Sequence, residues 1–302
     1  MKGLKPIPTC AAFAATSVSL LMALPHAVRA DDSKRLRDHW FDGAEISRYD
    51  LAQFRYADVH PGHAELIFVT EPFLAEEQVK SDTPDPEAVD VLKVNRLRTF
   101  NTGVYSYRAM TSVFTPMFEP ETNGLKVTLS VQDWCGQVFV QANRKGNTVT
   151  LRSFSYFEKE GDQMVKLVGE TQTIYLEDNV WNQIRIDPAR LPVGTFRAVP
   201  SLLYLRLQHQ PLTAYKAVGR LEMGNNTSHY EVVYPRLGRT IRWAFDGDFP
   251  YAIQSWEEVQ HGRDEATSAT LEDRMMNAYY WEMNRPHHAD ERRELGLEAV
   301  AD

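Results

Sequence analysis

The segment VQDWCGQVFV, Val131 to Val140, carries Cys135, one of two cysteines in the chain. A thiol becomes a nucleophile as the thiolate, which needs a base or a cationic neighbour. Asp133 supplies the opposite sign, because a carboxylate beside a thiol favours its protonated form. His209 and His229 are the histidines that folding would have to bring to it. One reading is therefore a hydrolase with Cys135 as nucleophile, aided by Asp133 and a distant histidine. The plainer reading makes Cys135 a small side chain at a bend.

Other residues suit other chemistries. His60 and His63 flank Pro61-Gly62, and His287-His288 follow near the end. Structural zinc sites usually need two such pairs and further ligands, so no metal is assigned. Asp246, Asp248, Glu257 and Glu258 lie near Trp243 and Trp256, a composition compatible with a sugar site. DGD is more simply a hairpin turn. The sequence holds no P-loop, Rossmann fingerprint, G-x-S-x-G elbow, H-E-x-x-H or Cys-x-x-Cys. No cofactor is expected, and the reading leans away from catalysis. Tyr105, Tyr107, Trp134, Phe154 and Tyr156 fall in expected strands. A curved sheet lined by such side chains can enclose an apolar ligand, so these five are the candidate binding residues.

Strands must position them. Residues 1–30 have a basic start, an apolar run and VRA before Asp31, the layout of a cleavable secretory signal. Pro25 and His26 interrupt the run before it is long enough to span a bilayer. Cleavage removes Cys10 and three basic residues, so the mature chain keeps Cys135 alone. It is also more acidic than the full chain's −8. An internal disulfide is then impossible. An acidic chain is a poor partner for nucleic acid. The expected product is soluble and periplasmic or secreted, with no transmembrane anchor after cleavage.

Period-two alternation cut by turn residues runs through residues 31–284. AEISRYDLAQFRY and AELIFVTEPFL form a hairpin with its turn at Pro61-Gly62. WNQIRIDPARLPVGTFRAV holds a strand and one helical turn at Asp187-Pro188-Ala189. SLLYLRLQ is a further strand, and ATSATLEDRMMNAYYWEMN leans to strand. In LKVTLSVQDWCGQVFVQA the apolar set moves from Leu125, Val127, Leu129 and Val131 to Trp134, Val138, Val140 and Ala142. Period two is strict, so the switch predicts a bulge or sharp bend at Trp134–Gly136. A matching switch sets Val149 and Leu151 against Phe154 and Tyr156. The expected fold is one all-β domain over 31–284, an antiparallel barrel or strongly curved half-barrel of roughly ten to thirteen strands. Residues 285–302 read as a charged, flexible tail.

WFDGAEISRYDLAQFRYADVHPGHAELIFVTEPF, TGVYSYRAMTSVFTP, VQDWCGQVFVQAN and SWEE…YYWEMN together resemble an uncharacterised family of secreted bacterial β-rich proteins, some labelled septum formation inhibitor Maf. The chain is unlike the true Maf nucleotide pyrophosphatases, α/β proteins with a Ser-x-Ser-Pro-Arg-Arg motif, so that activity is not carried over. The resemblance implies an exported protein of a Gram-negative envelope. The expected function is non-catalytic binding of an apolar, lipid-like ligand or an envelope partner in a curved sheet. A Cys135 hydrolase and a structural subunit of an envelope complex are the alternatives.

Overall fold

The computed structural model describes residues 30–119 and 123–297. The expected signal lies outside them apart from Ala30, which opens helix α1 (Ala30–Trp40). The first half of the sheet is β1 (Ala44–Arg55), β2 (Asp58–Leu74), β3 (Val79–Lys80), β4 (Ala88–Thr102), β5 (Tyr105–Pro116), β6 (Lys126–Asp133), β7 (Gly136–Lys145) and β8 (Thr148–Ser155). After β9 (Gln163–Val168) and β10 (Ile174–Leu176), the chain forms α2 (Val180–Ile186), β11 (Gly194–Val199) and α3 (Leu202–Leu207). It closes with β12 (Tyr215–Glu222), β13 (Thr227–Tyr234), β14 (Arg239–Asp246), β15 (Ile253–Gln260), β16 (Ala266–Ala278) and α4 (Ala289–Glu294).

The strands form one continuous sheet that runs β10 to β16, then β1, β2, and β4 to β9, with β3 hung on β2. It curls into a nearly closed barrel with β9 and β10 at its two edges. All-β is thus correct, but the described residues form sixteen strands rather than roughly ten to thirteen. The sheet is also mixed. β10 and β11 are parallel, Ile174 beside Arg197, because α2 carries the chain back across the barrel between them.

One miscount arises at VQDWCGQVFV. Read as one bent strand, it is two strands joined by a two-residue turn, with Asp133 opposite Gly136 and Val131 opposite Val138. Residues paired across such a turn share a face yet differ in parity, so the apolar set must change parity without any bulge. In β8 there is no switch. Val149, Leu151 and Ser153 stay buried, while Phe154 and Tyr156 are exposed. The β1–β2 turn also lies elsewhere than expected. Arg55 pairs with Asp58, and Pro61 and Gly62 pair with Ala52 and Leu51 inside the hairpin. A Cβ on Gly62 would sit 2.4 Å from the Thr99 carbonyl oxygen, so only glycine admits β4 this close.

VWNQIRI and LLYLRL, read above as strands, are α2 and α3 inside the barrel. Every residue of α2 is buried. An apolar run enclosed on all sides has no polar face to mark its period. Trp181 of α2 meets Trp243 at 5.8 Å and Trp256 at 4.9 Å, edge to face. Each such fully buried large side chain contributes about 1.5–3 kcal/mol.

Polar groups pin this plug to opposite walls. Asn182 Nδ2 donates to the Leu92 carbonyl at 2.8 Å and to Thr115 Oγ1 at 2.8 Å. Arg185 makes a two-pronged ion pair with Glu45 on β1. Just before α2, Glu177 takes both prongs of Arg239 on β14, and Asp178 pairs with Arg96 on β4. Buried charges left unpaired would be costly, so each of these contacts fixes where the plug must sit. Asp187, at the expected helical turn, accepts from the Ala189 N–H at 3.0 Å and starts a 3-10 turn at Pro188–Arg190. In the C-terminal segment read as a charged tail, α4 is followed by buried Leu295 and Leu297. Among the described residues, no helix is long and apolar enough to cross a membrane.

Candidate functional site

Four hairpins of the sheet turn at the same end of the barrel. They are β1–β2, β4–β5, β6–β7 and β8–β9, neighbours in sheet order. Each raises an apolar side chain into solvent: Tyr56 at 63% exposure, Val104 at 82%, Trp134 at 67% and Tyr156 at 74%. These four are among the most exposed large apolar side chains of the described residues.

Behind the tips lies an aromatic row. The Trp134 and Tyr105 rings are 5.9 Å apart, Tyr105 and Tyr107 are 5.0 Å apart, and Tyr107 stacks on Phe100 at 4.8 Å. The hydroxyls of Tyr56 and Tyr107 share a hydrogen bond of 2.7 Å, and the Arg55 guanidinium lies 4.6 Å above the Tyr56 ring. Burial, then the bond to Tyr56, pushes the Tyr107 hydroxyl up to about 12. Desolvation, then hydrogen bonds with Cys135 and Asp133, drives Tyr105 up as well. Both stay neutral phenols at physiological pH and act as hydrogen-bonding, apolar bodies.

The five expected binding residues come to this end but do not line one cavity. Tyr105 and Tyr107 face inward at the rim, and Trp134 caps the β6–β7 turn. Phe154 faces outward beside Phe139, its cross-strand partner. Tyr156 lies over Gly136, where a Cβ would come within 2.7 Å of its ring. An open groove of about 480 Å³ runs along the outer face past Gln132, Gln137, Phe139, Phe154 and Tyr156. The barrel interior, by contrast, is largely filled by α2 and α3. A smaller cavity of about 210 Å³ beside Tyr175, Leu191 and Phe196 falls below the roughly 300–1,000 Å³ of small-molecule pockets.

The arrangement around Cys135 is that of a turn. Asp133 Oδ1 accepts from the Cys135 N–H at 2.8 Å, the Gly136 N–H at 3.1 Å and the Tyr105 hydroxyl at 2.7 Å. An aspartate that satisfies its own turn's N–H groups is a standard turn device. Cys135 is exposed and free. His209 is bound to Glu160 at 2.8 Å, and His229 lies at the opposite end of the barrel, on β13.

The remaining candidates are scattered. His60 Nε2 is 3.3 Å from the Arg55 carbonyl oxygen, and His63 Nε2 is 3.4 Å from Glu65. Among the described residues, no three His, Cys, Asp or Glu side chains are placed to hold a metal. Glu257 and Glu258 are paired with Arg242 and Arg239, while Trp243 and Trp256 are buried, so no sugar platform forms. Sequence reading missed Tyr56 and Val104 as members of the exposed set. Their signal was position at a hairpin tip, which was hidden for Tyr56 by the misplaced turn. Comparisons with protein-family models, curated proteins and solved structures find nothing that matches this chain.

Proposed function

We propose that this is a non-catalytic binding protein, exported to a Gram-negative envelope, which holds an apolar, lipid-like group against the aromatic end of its sheet. The observation that carries this is the set of four neighbouring hairpin tips bearing Tyr56, Val104, Trp134 and Tyr156 in solvent. Tryptophan and tyrosine have an apolar body and a polar edge, which suits a boundary between water and an apolar phase. Exposed apolar sets of this kind mark interaction sites rather than packing. The largely filled interior favours an open surface over an enclosing carrier cavity. The acidic composition and the resemblance to exported bacterial proteins support the setting.

Flotation with vesicles of zwitterionic phospholipid tests the reading. Wild type is expected to rise with the vesicles, and Trp134→Ala/Tyr156→Ala at least tenfold less. Equal recovery of both proteins, or no flotation of either, would overturn it.

A further inference from the structure

A cleft of about 380 Å³ opens between α3 and residues of β1, β4, β15 and β16, with Tyr56 of the β1–β2 tip at its border. Three arginines line it: Arg55, Arg98 and Arg263. Four other inward arginines have carboxylates of their own. Arg185 has Glu45, Arg239 has Glu177 and Glu258, Arg96 has Asp178, and Arg206 has Glu160. Arg98 follows Arg96 on the same face of β4 and, among the described residues, has none within ion-pair distance. Its one hydrogen bond goes to neutral Gln53 at 3.3 Å, and its guanidinium lies 5.7 Å from the Trp256 ring centre.

Its two neighbours do not compensate. Arg55 donates to the Leu207 carbonyl and packs on Tyr56, and Arg263 packs on Phe54 at 5.2 Å. Of the two cleft carboxylates, Glu258 is held by Arg239 at 2.6 Å and Glu265 is exposed at the lip. Arg98 is half-buried and feels Glu258 and Asp178, each already ion-paired with another arginine, so its own charge is only partly offset. Burial accordingly pulls the Arg98 guanidinium down to about 10. In a chain of net charge −8, three arginines with no ion pair of their own among the described residues share this cleft with Glu258 and Glu265, Arg263 at its exposed lip. Phe54, Leu203 and Leu207 give the same cleft an apolar wall.

We infer that this cleft binds a small amphiphile by its anionic head, a carboxylate or a phosphate, gripped by the Arg98 guanidinium with its apolar body against α3. A guanidinium fork matches two oxygens of either head. The cleft volume lies within the range of small-molecule pockets. The cleft shares Tyr56 with the hairpin tips, but the inference rests on Arg98 and the α3 wall and stands whether or not the tips meet lipid.

Calorimetric titration of the full protein with octanoate, octyl phosphate and octanol, each kept monomeric, tests it. At least one anionic probe is expected to saturate a single site, and which one does so tells carboxylate from phosphate. Octanol is expected to bind at least tenfold more weakly. Arg98→Gln is expected to lose at least tenfold in affinity, with Arg98→Lys between. Without ligand, the melting temperature of Arg98→Gln is expected to equal or exceed that of wild type, since a charge only partly offset is removed. No saturable binding, equal affinity for octanol, unchanged affinity in Arg98→Gln, or a lowered melting temperature in that variant would each overturn the assignment.

Discussion

Asp133 holds Cys135 by its backbone: its Oδ1 accepts the Cys135 N–H at 2.8 Å and, on its other side, the Tyr105 hydroxyl at 2.7 Å. One carboxylate thereby ties the β6–β7 turn to β5 and sets Trp134 at the tip. Asp133→Ala is expected to cost about 1–2 kcal/mol, the loss of bonds to a charged acceptor. Cys135→Ser should stay within about 0.5 kcal/mol and float with vesicles as wild type does. Urea unfolding of the two variants measures the difference. A larger loss for the cysteine would contradict this division of roles.

Arg185 and Glu45 are 0% and 1% exposed and link the plug to β1 across 140 residues of sequence. Removing one partner strands the other, so Glu45→Ala is expected to cost about 3–5 kcal/mol. Replacing both by apolar residues, Glu45→Leu with Arg185→Met, should recover most of that loss. Burial works to raise the Glu45 carboxyl, but Arg185 outweighs it and holds Glu45 below its ordinary 4.5. A depressed acid contributes stability above its unfolded value and loses it as pH falls through the folded one. Acid unfolding of wild type should therefore steepen below about pH 4.5, and the Leu/Met pair should lack that step.

His39 gives a second, higher window. Burial against Trp40 and Phe249, then the charge of Arg185, lowers its affinity for a proton below the ordinary 6.5. Its contribution is complete above 6.5 and is lost as pH falls, because the unfolded chain takes the proton first. Wild type should therefore lose more stability than His39→Phe between about pH 7 and 5. Glu65, raised chiefly by burial, runs the opposite way in both proteins. The difference between them isolates the histidine. Parallel stability curves would contradict it.

The alternation of Val127, Leu129 and Val131 against Val138, Val140 and Ala142 made the strands and the parity change legible. The cause was misread, because a tight hairpin and a bulge leave similar marks when the turn residues are Asp-Trp-Cys-Gly. Tyr105, Tyr107, Trp134, Phe154 and Tyr156 were grouped as members of strands, whereas Trp134 sits in the β6–β7 turn and Tyr156 just past β8. α2 and α3 were not legible, because burial on every side erases the helical period. Nor was the grip of Asn182, Arg185 and Arg239, whose partners lie far along the chain. The missing partner of Arg98 could be seen only against the paired arginines around it.

The most direct test of binding at the aromatic end is the emission of Trp134. Of the six tryptophans, Trp40, Trp181, Trp243 and Trp256 are buried, and only Trp134 and Trp281 are exposed, at 67% and 45%. In a Trp281→Phe background, titration with zwitterionic phospholipid vesicles should shift the emission to the blue and saturate. Trp134→Phe in the same background should abolish the shift, as should Tyr56→Ser/Val104→Ser with Trp134 retained. An emission spectrum unmoved by vesicles, or a shift that persists without Trp134, would contradict it.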